Sequence, residues 1–249
     1  MPTYPDLTGN WQIQSGTPPN SPPIALLLLG ALQSSGDTVN GTFRFTNLAQ
    51  PIACALNQVV ALSGRVDSSG NLTLTSAPLP NGTIVKVQLA VPELLTSSAT
   101  GTIQVSGDTC AVPSNEAIGV QVASVTGTYA GTLTPGTLLS PGSGPTGSAT
   151  FSLAQAVTPA ADGQFPVTGT FSYVFGACSK SVAVTGTASG VGIMLSASTT
   201  PETGPYLTIV STTIPAATQI TVGSLASAPA LCSSDPLSTS SFSGTLLRQ

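Results

Sequence analysis

The residue types that most often carry out catalysis are scarce in this chain. Its 249 residues include no histidine, 5 lysine or arginine residues and 9 aspartate or glutamate residues. Without histidine the chain lacks the usual general base, the Ser-His and Cys-His pairs of covalent catalysis, and the commonest transition-metal ligand. A net charge of −4 offers no basic surface that could neutralise several phosphates, so we expect no nucleic-acid partner.

Two other patterns could be taken for functional sites, and neither has the context that such a site needs. Residues 142–147 read Gly-Ser-Gly-Pro-Thr-Gly, but a phosphate-binding glycine motif needs a helix after it, and a strand pattern follows here. The acidic residues are scattered, and several stand beside glycine in turn sequences, so no glycosidase pair can be recognised from spacing. We therefore predict no catalytic, cofactor-binding or metal site, and a protein that is not an enzyme.

The four cysteines predict disulfides rather than a metal site. Cys54, Cys110, Cys178 and Cys232 show no Cys-x-x-Cys spacing. An even number of cysteines in a lysine-poor chain is typical of proteins from an oxidising compartment. We expect two disulfides.

The elements that would position these residues are strands. Apolar and polar residues alternate strictly in segments such as 71–75, 83–89 and 100–105, which is the period of a half-buried strand. Turn sequences such as Asn81-Gly82 separate these segments, and no segment has an amphipathic helical pattern. About eight strands are expected in the first half of the chain, near 8–14, 24–33, 39–47, 58–66, 71–77, 83–91, 99–106 and 117–123, and the same number in the second half.

The two halves of the chain repeat each other. The segment Leu7–Trp11 reappears as 125–129, Leu62–Gly70 as 184–190, and Cys54 and Cys110 return as Cys178 and Cys232. Landmarks in one order at nearly constant spacing indicate a tandem duplication, predicted as domains 7–123 and 124–249. Each copy is long enough to bury its own core. Whether 117–131 forms one strand or two is left open by the pattern.

Eight antiparallel strands can close as an up-and-down barrel or pack as a two-sheet β-sandwich. Trp11 lies well before Cys54, whereas an immunoglobulin domain has its tryptophan between its two cysteines. We expect an all-β protein of two tandem eight-stranded barrels, each with one disulfide, and keep the sandwich as the alternative.

The Gly9-Asn10-Trp11 motif on the first strand resembles the lipocalin and avidin families, the calycins. The resemblance implies that Trp11, and Tyr129 in the second copy, plug the end of a barrel or contact a ligand there. In many lipocalins an arginine of the last strand covers the tryptophan. Its counterpart here would be Arg248, in the copy that has Tyr129 instead.

The up-and-down order of the predicted strands also suggests how the cysteines pair. Cys54 falls between the third and fourth strands, and Cys110 between the seventh and eighth, at the same end of a barrel. Disulfides Cys54–Cys110 and Cys178–Cys232 would each close one end of a barrel. The loops would have to fold over that end, because bonded cysteines need Cα atoms about 5.5 Å apart.

The apolar run 24–32 is too short to cross a membrane, which takes about 20 residues, and no basic region precedes it as in a signal peptide. We predict a buried strand there. The low charge and the cysteines favour a secreted or cell-envelope protein whose export signal is not in this chain.

Three functions fit these features. The first is a non-catalytic surface or structural module that contacts protein partners or associates with itself. The alternative is a calycin-like protein that binds a small apolar ligand inside a barrel. A carbohydrate-binding or carbohydrate-active protein is a weaker alternative.

Overall fold

The computed structural model describes residues 4–15, 26–47, 56–92, 98–107, 111–137, 140–141, 146–176, 178–198, 206–228 and 242–249. All regular structure in these residues is β-strand, and none of them lies in a helix. No helix in the described part of the chain is therefore long and apolar enough to span a membrane.

The first barrel consists of eight antiparallel strands, each hydrogen-bonded to the next, and closes where the first strand pairs with the eighth. The strands are β1 (Gly9–Ser15), β2 (Leu26–Ser35), β3 (Thr38–Asn47), β4 (Leu56–Val66), β5 (Asn71–Ser76), β6 (Ile84–Ala90), β7 (Ala99–Ser106) and β8 (Val112–Val122). Closure leaves every strand with two neighbours, so no strand of this barrel is an edge.

The second barrel repeats this topology with one short additional strand. Its strands are β9 (Gly127–Thr137), β11 (Gly147–Gln155), β12 (Phe165–Phe175), β13 (Cys178–Ser189), β14 (Gly192–Ser198), β15 (Tyr206–Thr213), β16 (Gln219–Ala228) and β17 (Phe242–Arg248). It closes through β9 and β17, and the two-residue β10 (Ser140–Pro141) pairs with β9 outside the ring. The prediction of two tandem antiparallel barrels is confirmed, and the sandwich alternative is wrong.

The apolar alternation in the sequence forms the inside of each barrel. On β6, Val85, Val87 and Leu89 are buried, and the residues between them are partly or fully exposed. Because successive side chains of a strand point to opposite faces, one residue in two reaches the interior. The first barrel is filled around Trp11, Phe43 and Phe45. The second is filled around Tyr129, Phe151 and Phe171.

Glycines in both copies allow neighbouring strands to approach closely. A Cβ atom on Gly64 would lie 1.8 Å from the carbonyl oxygen of Thr73, and one on Gly186 would lie 1.9 Å from that of Met194. No other residue type fits these positions without a shift of the backbone. The repeated Ser/Thr-Gly sequence of the two copies therefore has a structural reason, which is the tight coiling of β4 on β5 and of β13 on β14.

The structure answers the question about residues 117–131. Strand β8 ends at Val122, β9 begins at Gly127, and residues 123–126 connect them. The chain divides into two compact units, residues 1–122 with 159–164, and residues 123–158 with 165–249.

Candidate functional site

Trp11 is buried at the end of the first barrel where β1 begins, which we call the Trp11 end. Its side chain is 1% exposed, and its Nε1 donates a hydrogen bond of 2.7 Å to the carbonyl oxygen of Leu7. Leu7 is itself fully buried. The backbone before β1 thus accepts the hydrogen bond of the indole, so the single polar group of the ring is satisfied by the chain itself.

Tyr129 occupies the equivalent place in the second barrel. It is fully buried, and its hydroxyl donates to the carbonyl oxygen of Ala217 at 3.1 Å. Burial raises the pKa of the Tyr129 phenol above its ordinary value, and the positive charge of Arg248 acts in the opposite direction. The phenol is therefore held in its neutral, hydrogen-bonded form.

In each copy, a side chain of the last strand donates a hydrogen bond to the segment that precedes the first strand. Arg248 lies opposite Tyr129 in the pairing of β17 with β9, and its Nη2 donates to the carbonyl oxygen of Thr126 at 2.6 Å. In the first copy, Gln121 lies opposite Trp11, and its Nε2 donates to the carbonyl oxygen of Thr8 at 2.8 Å. A neutral amide thus makes the contact beside the tryptophan, and the arginine makes it beside the tyrosine.

The predicted disulfides cannot be assigned from this geometry. Cys54, Cys110 and Cys232 lie outside the described residues, and Cys178 is described only as the first backbone position of β13. The two pairs stay a prediction.

Polar side chains gather at the opposite end of the first barrel, which we call the far end. At this end, a polar residue occupies an inward position on β1, β4, β5 and β8 and just before β6, and on β8 buried Val112 lies beyond it. On β6, for example, Val85 and Val87 are buried and Thr83 continues the series. We call this set the polar layer, and it comprises Ser15, Gln58, Ser76, Thr83 and Asn115.

Two members of the polar layer are satisfied by backbone groups. The Ser15 hydroxyl oxygen accepts a hydrogen bond of 3.2 Å from the amide of Leu26, and the Ser76 hydroxyl oxygen accepts one of 3.0 Å from the amide of Val85. These contacts extend the hydrogen bonding between strands at the rim of the barrel. The two serines therefore need no further partner to be stable there.

The other three members carry buried polar atoms that lack a partner. These atoms are Nε2 of Gln58, Oγ1 of Thr83 and Nδ2 of Asn115. Thr83 is fully buried. A buried polar atom without a hydrogen bond costs about 1–3 kcal/mol, so three of them at one end of a barrel call for a partner that satisfies them.

Apolar side chains interrupt the polar layer at two places around the ring. Leu26 on β2 and Phe45 on β3 point inward at the far end, as does Val105 on β7. Phe45 lies directly opposite Gln58 in the pairing of β3 with β4. Around the ring, the polar side chains of β4–β6 are thus separated from those of β8 and β1 by the apolar side chains of β2–β3 on one side and of β7 on the other.

The same end of the second barrel is different. Its buried inward residues are Leu133, Ala149, Tyr173, Ala197, Ile209 and Phe242, and exposed Lys180 lies directly opposite Tyr173 in the pairing of β12 with β13. Ser189 and Ser211 also have buried hydroxyl oxygens without a partner, but they lie toward the Tyr129 end of their strands. Among the described residues, the polar layer belongs to the first barrel.

Two of the described aspartates, Asp37 and Asp67, lie at turns between strands. Asp67 accepts hydrogen bonds of 2.9 Å from the side-chain and backbone amides of Asn71 and from the amide of Ser69, and these bonds hold its pKa below the ordinary value. Asp37 forms an ion pair with Arg65 at 2.9 Å. Within the described ranges, no three His, Cys, Asp or Glu residues come together as a metal site would require.

Two shallow cavities border outward-facing side chains. One, of about 360 Å³, is lined by Gln33, Asn40, Thr42 and Ser63 among others. The other, of about 270 Å³, lies on β11–β13 and is lined by Ser148, Thr150, Ser172 and Ser181 with Lys180. Both are hydroxyl- or amide-rich concavities of the outer surface.

Sequence reasoning missed the polar layer although its signal was present. Thr83, Gln58 and Asn115 each continue an apolar alternation by one more step. In the sequence, a polar residue at that position indicates the end of a strand. The strand pairing that closes the barrel is needed to know which strand ends lie together.

Comparison with known proteins does not show a family or a function for this chain. No protein-family model matches the chain, and no curated protein matches it. Among solved structures, a protein of unknown function from the DUF3598 family of Nostoc punctiforme is 11% identical, with 97% of this chain and 94% of that chain covered and a TM-score of 0.27. A similarity of that degree supports no argument about function. The two closed eight-stranded antiparallel barrels fit a calycin-like barrel fold.

Proposed function

We propose that this chain is a non-catalytic binding protein that holds a small molecule at the far end of its first barrel. The observation that supports the proposal is the set of three buried polar atoms without a partner on Gln58, Thr83 and Asn115. Ligand sites in proteins are mostly apolar, with a few polar groups that fix the orientation of the ligand. The polar layer above an apolar core has that composition.

Trp11 and Tyr129 take a structural part in this proposal. Each is buried at the end opposite to the polar layer or its equivalent, and each donates its polar hydrogen to a backbone carbonyl. We propose that they plug their barrels and that the ligand does not contact them.

Native mass spectrometry of gently purified, unreduced protein tests the binding function. We expect a non-covalent adduct of defined mass that survives desolvation and disappears when the protein is unfolded. The variant Gln58→Leu/Thr83→Val/Asn115→Leu should lose the adduct and stay folded, because apolar side chains of similar size replace the polar ones. The variant Thr73→Val, on the exposed face of β5, is the matched control and should keep it.

Two outcomes would contradict the binding function. One is a bare mass for the unmodified protein in every preparation. The other is an adduct retained equally by the triple variant, since such a ligand would sit elsewhere.

A second candidate is a surface or protein-interaction module, and one observation favours it. Met194 and Val210 are 60% and 44% exposed and lie directly opposite each other on β14 and β15. An exposed apolar pair on a surface with so few charges favours association. Because β14 and β15 both pair on two sides, such contacts would be made by side chains rather than by strand addition.

Sedimentation at several protein concentrations tests the second candidate. A self-associating protein should shift to larger species as the concentration rises, and Met194→Lys should reduce the shift. A monomer at all concentrations, unchanged by the substitution, contradicts self-association. We further propose that the protein is exported or part of the cell envelope, on the basis of its cysteines and low charge.

A further inference from the structure

We propose that Asn81 is a modification site, at which the folded protein loses a side-chain amide by spontaneous deamidation. This inference does not depend on the proposed binding function. The backbone nitrogen of Gly82 attacks Cγ of Asn81, an N–Cγ bond forms, and the side-chain nitrogen takes up the amide proton and leaves as ammonia. Water then opens the succinimide ring to aspartate or isoaspartate, so the chain gains one negative charge.

The sequence Asn-Gly-Thr occurs twice in the first copy, at 40–42 and at 81–83. Glycine after asparagine hinders the attacking nitrogen least, because it has no side chain. Since the two tripeptides are identical, we expect similar deamidation rates at both sites in the unfolded chain. A difference between them in the folded protein therefore comes from the structure.

The first Asn-Gly pair is held inside a paired strand. Asn40 and Gly41 lie on β3, which pairs with β2 on one side and with β4 on the other. The backbone amides of such a strand are used in the hydrogen bonds of the sheet. A Cβ atom on Gly41 would lie 2.6 Å from a ring carbon of Phe43 and 2.7 Å from a methyl carbon of Leu32. Both the pairing and this packing oppose the rotation of the peptide that ring closure requires.

The second Asn-Gly pair lies in a turn. Asn81 and Gly82 are exposed and stand between the end of β5 at Ser76 and the start of β6 at Ile84. Gly82 has a φ of +80°, and a Cβ atom on it would lie 3.2 Å from the carbonyl oxygen of Gly107. The peptide between Asn81 and Gly82 can therefore rotate without separating two strands.

A hydrogen bond places the side-chain carbonyl of Asn81 next to the peptide that attacks it. Its Oδ1 accepts a hydrogen bond of 3.2 Å from the backbone amide of Thr83. This contact, typical of asparagine in turns, folds the side chain back along the two residues that follow. Negative charge develops on Oδ1 during the attack, and a donor that already points at this oxygen stabilises the charge.

One contact opposes the reaction. The amide of Gly82 donates a hydrogen bond of 2.8 Å to the carbonyl oxygen of Leu79, and this bond must open before the nitrogen can attack. It is a single turn hydrogen bond of an exposed residue, and such bonds open locally at low cost in free energy. Opening the pairing around Gly41 requires the movement of three strands.

Mass spectrometry of the whole protein, aged at pH 8.5 in buffer and in guanidinium chloride and then digested with trypsin, tests the inference. Cleavage after lysine and arginine puts Asn40 in peptide 1–44 and Asn81 in peptide 66–86. Each deamidation adds about 1 Da, because a hydroxyl replaces the amide NH₂, and fragmentation locates the site. We expect similar rates in denaturant, and in buffer a rate at Asn81 at least roughly tenfold above that at Asn40.

Two variants assign the signal within peptide 66–86. Asn81→Gln should remove the added mass, because glutamine has to close a larger ring. Asn71→Gln is the matched control in the same peptide and should keep the added mass. Both positions are exposed, and thermal unfolding verifies that each variant is folded.

Three outcomes would overturn the inference. Equal rates at Asn40 and Asn81 in buffer would show that the fold does not distinguish the two sites. A large excess at Asn81 that is already present in denaturant would place the cause in the sequence. If peptide 66–86 reacts in denaturant and stays unmodified in buffer, the turn protects Asn81.

Discussion

At the residue scale, the inward series of each first-barrel strand decides both stability and the chemistry of the interior. Val85 and Val87 stabilise the core by burial, and Thr83, in the same series, places a hydroxyl in a buried position without a partner. A protein optimised only for stability would carry an apolar side chain at that site. The hydroxyl is therefore better explained by binding than by folding.

Replacement of Thr83 by valine is expected to stabilise the ligand-free protein by about 1 kcal/mol. Valine has the same shape and removes the desolvation cost of the unpartnered Oγ1. Thermal and urea unfolding measure the change, with the exposed Thr73→Val as a control that should stay within about 0.5 kcal/mol of the parent. A marked loss of stability would show that the hydroxyl has a partner in the folded protein.

Replacement of Tyr129 by phenylalanine is expected to cost about 1–2 kcal/mol at pH 7, because the buried carbonyl oxygen of Ala217 loses its hydrogen bond. The pKa of Tyr129 is raised in the folded state, so its contribution is complete below the unfolded value near 10 and is lost as the pH rises through the folded value.

Unfolding measured between pH 8 and pH 12 checks this dependence. The parent protein should lose stability more steeply above pH 10 than Tyr129→Phe, and Tyr4→Phe, at an exposed position, serves as the control. Parallel curves for the parent and Tyr129→Phe would be inconsistent with a buried, neutral phenol.

At the scale of elements, alternation predicts strands well where pairing is regular and poorly at bulges. The strand near 99–106 was predicted with its observed bounds. The last strand of the first copy was predicted to begin at 117, but β8 begins at Val112. The pairing of β7 with β8 shifts its register between Ile103 and Val105. Because of this shift, buried Val112 and buried Ala117 do not belong to one regular alternation of apolar and polar residues. The sequence pattern therefore indicates only the part of β8 that begins at 117.

Replacement of Gly64 by alanine is expected to destabilise the first barrel by about 1–3 kcal/mol, as overpacking usually does. The added Cβ would come within 1.8 Å of the Thr73 carbonyl oxygen, which cannot move without breaking the β4–β5 pairing. Denaturant unfolding measures the effect. Gly192→Ala is the control, because its nearest atom would be 3.3 Å away. Equal small effects for both substitutions would refute the close-approach argument.

At the scale of the whole molecule, the covalent framework is a prediction that follows from the repeat. Each cysteine of the first copy has a counterpart in the second, and in the sequence Cys54 falls between β3 and β4 and Cys110 between β7 and β8. A disulfide that closes a loop of this length stabilises the fold by roughly 4 kcal/mol in the chain-entropy model.

Intact-mass measurement with and without reduction checks the framework. We expect the unreduced protein to be about 4 Da lighter than the reduced one, since each of two disulfides removes two hydrogens. Peptide mapping should then recover Cys54 linked to Cys110, and Cys178 linked to Cys232. Four reactive thiols in the unreduced protein, or links between the two copies, would show that the prediction is wrong.

The sequence by itself determined the local structure: the alternation gave the strands, the Asn-Gly and Asp-Gly pairs marked the turns, and the internal repeat indicated two copies of one unit. Only the tertiary structure decided that the strands close into barrels, because the pairing of β1 with β8 joins residues more than a hundred positions apart. The same closure places Gln58, Thr83 and Asn115 at one end of one barrel. Their placement at a common end depends on pairing between distant strands, which local periodicity does not encode.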